Sequence, residues 1–225
     1  MAKQKIISHR DVIQKTNFTR SVTPALLKPH MNEMSLEMII TDKYSADFHD
    51  CLIASVAQYN DNLIKTRNPE VSYVQGDIVK DEGVLYIAIK DVSGVEDITC
   101  NAAFERAPVF NDDCLNDVYR YLCTWLCWEV AYIALPFTRT HVKGTGIDFQ
   151  KDNGRGREAA DQAMYNSLVA GYNIKRSKFK RTLDKKLQMS YEKHECECIR
   201  KAIGGDLCST KTDAPQKNYG IHYRR

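Results

Sequence analysis

The sequence predicts a mainly α-helical protein: a helical bundle with a long C-terminal helix, a small β-rich insertion and extended terminal arms. Three observations carry this. A dense aromatic and apolar stretch runs from Val118 to Leu135. A charged pattern with helical spacing follows, from about Arg157 to Lys193. Between them and the N-terminal third, the residues from Val71 onward alternate in the manner of strands.

The chain has 225 residues, which suits one domain with additions or two small ones. Hydrophobic residues at 43% and charged residues at 27% are ordinary for a globular protein and leave room for a sizeable core. A net charge of +3 is too small for a generally nucleic-acid-binding surface. The start, MAKQKIISHR, is basic and lacks the apolar run of a signal peptide. The eight cysteines therefore read as free thiols in a reducing cytoplasm, with Cys123 and Cys127 one helical turn apart as small hydrophobes. No segment reaches the roughly 18 apolar residues of a membrane span; Trp125 to Leu135 comes nearest, and Glu129 interrupts it.

Residues 1–24 are polar with scattered Ile and Val and read as an arm. Thr23-Pro24 offers a cap and a first-turn proline for a short helix, which Pro29 limits. Met34, Met38 and Ile39 begin an apolar period. Asp42 caps a helix expected over 43–65, whose buried stripe is Tyr44, Phe48, Leu52, Val56, Tyr59 and Leu63, and Asn68-Pro69 stops it. Val71, Tyr73, Ile78, Val79, Leu85, Ile87 and Ile89 flank turns at 75–77 and 81–83, so two or three antiparallel strands follow. This small module resembles those of carbohydrate-binding modules and phage virion proteins. A glycan platform needs exposed aromatics, and only Tyr73 and Tyr86 are on offer, so a decorative insertion is the preferred reading. A peripheral insertion would tolerate replacement by a short linker.

Residues 93–111 read as loop. Asp112 or Asp113 caps the next helix, apolar over most of its circumference, with Leu122, Trp125 and Trp128 in its core face; Pro136 ends or kinks it. In the last helix Ala160, Met164, Leu168, Tyr172, Phe179, Leu183 and Leu187 mark the buried stripe, with Gly171 as a kink point. At 1.5 Å per residue it spans about 50 Å, so part of it projects or packs on a neighbour. The divisions are an arm (1–24), a discontinuous helical core (25–69 and 112–193), the insertion (70–111) and a tail (194–225).

Reactive chemistry is poorly supported. His194, Cys196, Cys198 and Cys208 are weak metal ligand candidates, because zinc sites usually pair two ligand sets. Incidental thiols at a helix end are preferred, and no cofactor is expected. The glycines at 143–146 and 153–156 follow no strand and match no phosphate loop. His141 has no nucleophile elbow beside it. The reading is therefore not an enzyme. Lys175, Arg176, Lys178, Lys180, Arg181, Lys185 and Lys186 form a basic run that suits a DNA channel, an acidic partner or a solvated face; a solvated or partner-facing surface is preferred. Tyr219, Ile221 and Tyr223 alternate before Arg224 and Arg225, as in a strand that docks on a partner's sheet edge.

The helix order, the inserted module and the connection FTRTHVKGTGI before the last helix together resemble the head–tail connector (adaptor, or ring) proteins of tailed bacteriophages. The nearest version is that of crAss-like phages infecting Bacteroidetes. The resemblance covers about 30–66 and 112–193; the cysteine-rich stretch 194–208 matches nothing in it. It implies a structural virion protein, made in the host bacterial cytoplasm and placed in the neck at the head–tail interface. It implies a homo-oligomeric ring, commonly dodecameric, that joins the portal protein to other neck or tail rings and continues the DNA channel for genome ejection. DNA proximity would be non-specific, with no membrane and no catalysis. The alternative reading is a nucleic-acid-binding protein using the basic helix 175–186.

Overall fold

The computed structural model describes residues 1–16, 27–94, 98, 101–144, 155–194 and 196–203, and for 137–144, 155–164 and 194 the backbone only. The protein is mainly α-helical, as expected, with a small sheet region. The chain enters through β1 (Ala2–Lys3) and α1 (His9–Thr16), passes a 3-10 turn at Lys28–His30, and forms α2 (Glu33–Lys43) and α3 (Ala46–Ser55). The strands are β2 (Gln58–Tyr59), β3 (Ile64–Thr66), β4 (Ile78–Asp81), β5 (Val84–Ala88) and β6 (Phe104–Arg106). Then come α4 (Asp113–Gly144), α5 (Arg155–His194) and α6 (Glu197–Ile203).

The apolar circumference of α4 makes it the central element. Leu115, Val118, Leu122, Trp125, Leu126 and Val130 are all buried, and Trp128 is only 8% exposed. Against it pack α1 and α5. The Asp112 carboxylate accepts from the Cys114 backbone N–H at 2.9 Å and so starts the helix where a cap was expected. Pro136 does not end it: the helix continues to Gly144 with Pro136 on its exposed side. A proline removes one hydrogen bond there, which water on an exposed face can replace.

The first third departs most from expectation. Of the helix expected over 43–65, Lys43 ends α2 and only Ala46–Ser55 forms a helix of its own; β2, a 3-10 turn at Asp61–Leu63 and the start of β3 follow. Asn32 and Ser45, not Asp42, are the caps; their side chains accept from Ser35 N at 2.8 Å and Phe48 N at 3.1 Å. Phe48, Leu52 and Val56 are buried as expected, but the helix stops at Ser55 and Leu63 is 64% exposed. Non-local pairing decides this. Ala57 N donates to Val109 O at 2.8 Å and Gln4 N donates to Ala57 O at 3.0 Å. A helical period in the sequence has no term for such partners.

Residues 1–16 are correspondingly no free arm. β1 pairs antiparallel with β2, and Ile6, Ile7 and Val12 belong to the main core. The buried Gln4 amide donates to Leu85 O and Ala107 O at 2.9 and 3.0 Å, while its oxygen accepts from Leu85 N. Arg10 pairs with Asp81 at 2.8 Å, and Arg106 with Asp11 at 2.9 Å. The helix start at Thr23-Pro24 lies outside the described residues.

The insertion supplies three strands of a four-stranded sheet in the order β3-β4-β5-β6, and β3, from the segment before residue 70, completes it, so the sheet begins earlier than the expected boundary. Its first pair is parallel and the others antiparallel. Glu82 and Gly83, both at positive φ, close the β4–β5 hairpin. β6 falls where a loop was expected; three residues, Phe104 to Arg106, carry too little pattern to show alone. Tyr73, Val79, Ala88, Ile98, Ala103 and Phe104 form a small core of their own. The segment after β6 is different: Val109 and Phe110 lie in the main core. Replacing 70–110 with a linker would thus remove part of that core, and the expected tolerance is corrected accordingly. Tyr73 is 1% exposed, so it offers no platform for a glycan.

Candidate functional site

The basic run on α5 sorts into two sets. Arg176, Lys180 and Lys186 turn inward. Arg176 donates to the Glu129 carboxylate at 3.0 Å and lies 3.9 Å from the Tyr132 ring centroid. Glu129 is 4% exposed and also accepts from the Trp125 indole N–H at 3.1 Å. This is the residue that breaks the apolar run of α4, and its charge is matched across the helix pair. Lys180 bonds Asp184 at 2.9 Å and sits 4.5 Å from the Tyr44 ring. Tyr44 donates to the same carboxylate at 2.8 Å. Burial first, and the Asp184 charge second, keep that hydroxyl protonated far above the usual tyrosine range. Lys186 lies 5.2 Å from the Tyr121 ring.

Lys175, Lys178, Arg181 and Lys185 face outward and are exposed. None has an ion-pair partner among the described residues. Ile174, Lys178, Arg181 and Lys185 step by four, three and four, so they form one stripe along the helix. Ile174 is 68% exposed and Met189, one turn beyond Lys185, is 58% exposed. A shallow groove of about 600 Å³ follows the stripe, with Asn173, Ser177 and Thr182 at its sides. Gly171 continues it, and a side chain there would meet nothing within 4 Å. Cations flanked by exposed aliphatic groups can bind phosphate or carboxylate while covering apolar surface. A larger groove of about 740 Å³ lies between the N-terminal segment, α2 and α3. Its rim mixes Lys3, Lys5 and Lys28 with Glu33 and Glu82, so it selects no charge.

The cysteines correct the expectation of eight free thiols. Cys51 pairs with Cys198, and Cys114 with Cys196, as disulfides. Cys196 and Cys198 thus reach different partners, one at the start of α4 and one on α3. Closeness along the chain groups them with His194 in the sequence, but the fold sends them to different helices. The His194 side chain and Cys208 lie outside the described residues, as do the tail residues Tyr219, Ile221, Tyr223, Arg224 and Arg225. Side chains of the 137–144 connection, His141 included, are likewise outside them. Asp112, Cys114 and Cys196 offer ligand atoms within 4.8 Å of one another. Only the reduced pair could present two thiolates and a carboxylate to a soft divalent cation. Cys123 and Cys127 are buried with free thiols. Their mutual hydrogen bond lowers the Cys123 thiol, while burial pushes the Cys127 thiol up.

The two disulfides fasten α6 to distant points, with sequence separations of 147 and 82 residues. A disulfide typically contributes about 2–4 kcal/mol, and more for longer loops. Replacing Cys51 and Cys198 together by Ser should lower the unfolding midpoint, and a reductant should do the same to the unaltered protein. Coincident melting curves with and without reductant would show that the pairs carry no stability.

No family model, curated protein or solved structure matches the chain. Among the described residues, no helix is long and apolar enough to cross a membrane.

Proposed function

We propose that the protein is a structural subunit of an oligomeric ring in the neck of a tailed phage, joining the portal to the tail around the DNA channel. The single observation that carries an assembly role is the outer face of α5. A helix of 40 residues spans about 60 Å. It presents exposed Ile174 and Met189 with four outward cations that have no ion-pair partner among the described residues. Such a face suits a macromolecular partner better than a small substrate. The phage context rests on the sequence resemblance: helix order, the β insertion and the connection before the last helix. In this reading the helices form a bundle, α5 is its long C-terminal member, and the tail 209–225 docks on the portal or a neighbouring ring.

The test is negative-stain imaging and light-scattering mass of the purified protein, alone and with the portal protein of the same phage. Rings that form or strengthen with portal support the proposal. A monomer that ignores portal yet binds DNA would favour the nucleic-acid reading instead. In that case log K should fall against log salt with a slope of about −3 to −4, as expected for four phosphate contacts.

A further inference from the structure

α2 carries a second outward face that complements the first. Its buried side is Leu36, Ile39 and Ile40. The opposite side shows Met34 and Met38, 71% and 69% exposed, beside Glu37 and Thr41, with Glu33 on the flank. Both methionines fit the apolar period of the sequence, and the fold leaves both in solvent. Glu33 and Glu37 have no cationic partner among the described residues. The α2 face is thus apolar and acidic, and the α5 face apolar and basic. Both helices turn their inner sides to the same core cluster. Both outer faces therefore point away from it, and one chain cannot close them on each other.

We propose that the α2 face of one copy docks on the α5 face of another, with the Met34–Met38 ridge seated in the groove beside Ile174. Glu33 and Glu37 then lie against Lys175, Lys178 and Arg181. Ridge-into-groove packing is the ordinary way two helices fit, and flexible methionines adapt to a shallow groove. The opposite charges set the register and disfavour α2 on α2 or α5 on α5. An interface that joins two different surfaces is head-to-tail, so it closes rings or extends filaments. An eleven-residue helix covers less than the roughly 800 Å² per partner of a standard interface. Each contact is accordingly weak, and ring closure or a template adds to it. The proposal rests on the ring reading for its symmetry, not for the contact itself.

The experiment is sedimentation of three proteins over a concentration series up to the millimolar range at low salt. They are the unaltered chain, Glu33→Lys/Glu37→Lys, and Lys178→Glu/Arg181→Glu. All four sites are exposed, so circular dichroism should be unchanged. The unaltered chain should self-associate, and more weakly as salt rises. Each variant alone should associate at least about tenfold more weakly, since like charges then meet. An equimolar mixture of the two variants should recover association, because each α5 then meets an α2 of opposite charge. A monomer at every concentration overturns the proposal. So does a mixture that stays dissociated, or an effect from the α5 variant alone, which would mean that the α5 face meets a surface other than α2. A closed dimer that obeys the charge swap keeps the contact and removes the ring reading.

Discussion

Trp125→Ala is expected to lower the stability of the protein by about 3–5 kcal/mol. The indole is fully buried in the middle of α4 and sits edge-on to the Tyr44 ring at 5.4 Å. Its removal leaves a cavity in the main core, and the neighbours are helices that cannot easily collapse into it. There is a polar loss as well. The indole N–H donates to Glu129 Oε1, a buried atom that would then miss one of its donors. For a chain of this size the melting midpoint should fall by about 10 °C. Trp125→Phe keeps most of the volume and loses only the donor, so it should cost clearly less. Thermal unfolding followed by circular dichroism measures both, and equal midpoints for Trp125→Ala and the unaltered protein would remove α4 from the centre of the fold.

Arg176→Met should cost about 3 kcal/mol, although Arg176 sits in a run that reads as surface charge. The reason is its partner. The Glu129 side chain is 6% exposed, and without the guanidinium it is a buried charge left with the Trp125 indole alone. Breaking a buried pair from one side costs more than the pair contributes, because the remaining ion cannot recover its hydration. The second variant isolates this. Arg176→Met together with Glu129→Gln removes the charge but keeps an oxygen for the indole N–H, and most of the loss should be restored. By contrast Lys178→Met, on the outward stripe, should change stability by less than about 0.5 kcal/mol. Chemical denaturation of the three variants decides it. Similar losses for Arg176→Met and Lys178→Met would mean that the two sets of cations are not energetically distinct.

The long apolar and amphipathic patterns were legible because they are local. Helix α4 needs only its own residues to announce a nearly all-round apolar surface, and Asp112 announces its start. Helix α5 runs from Arg155 to His194, against an expectation of about Arg157 to Lys193. The β4–β5 hairpin was visible through Asp81-Glu82-Gly83, a turn whose geometry depends on adjacent residues. Residues 56–66, the N-terminal segment and β6 were not, since each takes its conformation from a partner far along the chain. The candidate site was half legible. All seven basic residues stand out in the sequence. Which of them are neutralised depends on Glu129 and Asp184 and on the rings of Tyr44, Tyr121 and Tyr132.

Composition and periodicity alone were enough to establish a mainly helical protein, the place of its central helix, and a small strand-rich module before it. Those properties follow from the spacing of apolar side chains and the chemistry of caps and turns, which act within a few residues. Tertiary contact alone decided which face of each helix stays outside. Helix α2 shows the difference. Met34 and Met38 match an apolar period as well as Leu36, Ile39 and Ile40 do, and spacing cannot say which set finds a neighbour. The core takes the second set and leaves the methionines exposed beside two carboxylates that have no cationic partner among the described residues. The same holds for Cys196 and Cys198, two positions apart in the chain and joined to different helices, because a disulfide is set by distance in space.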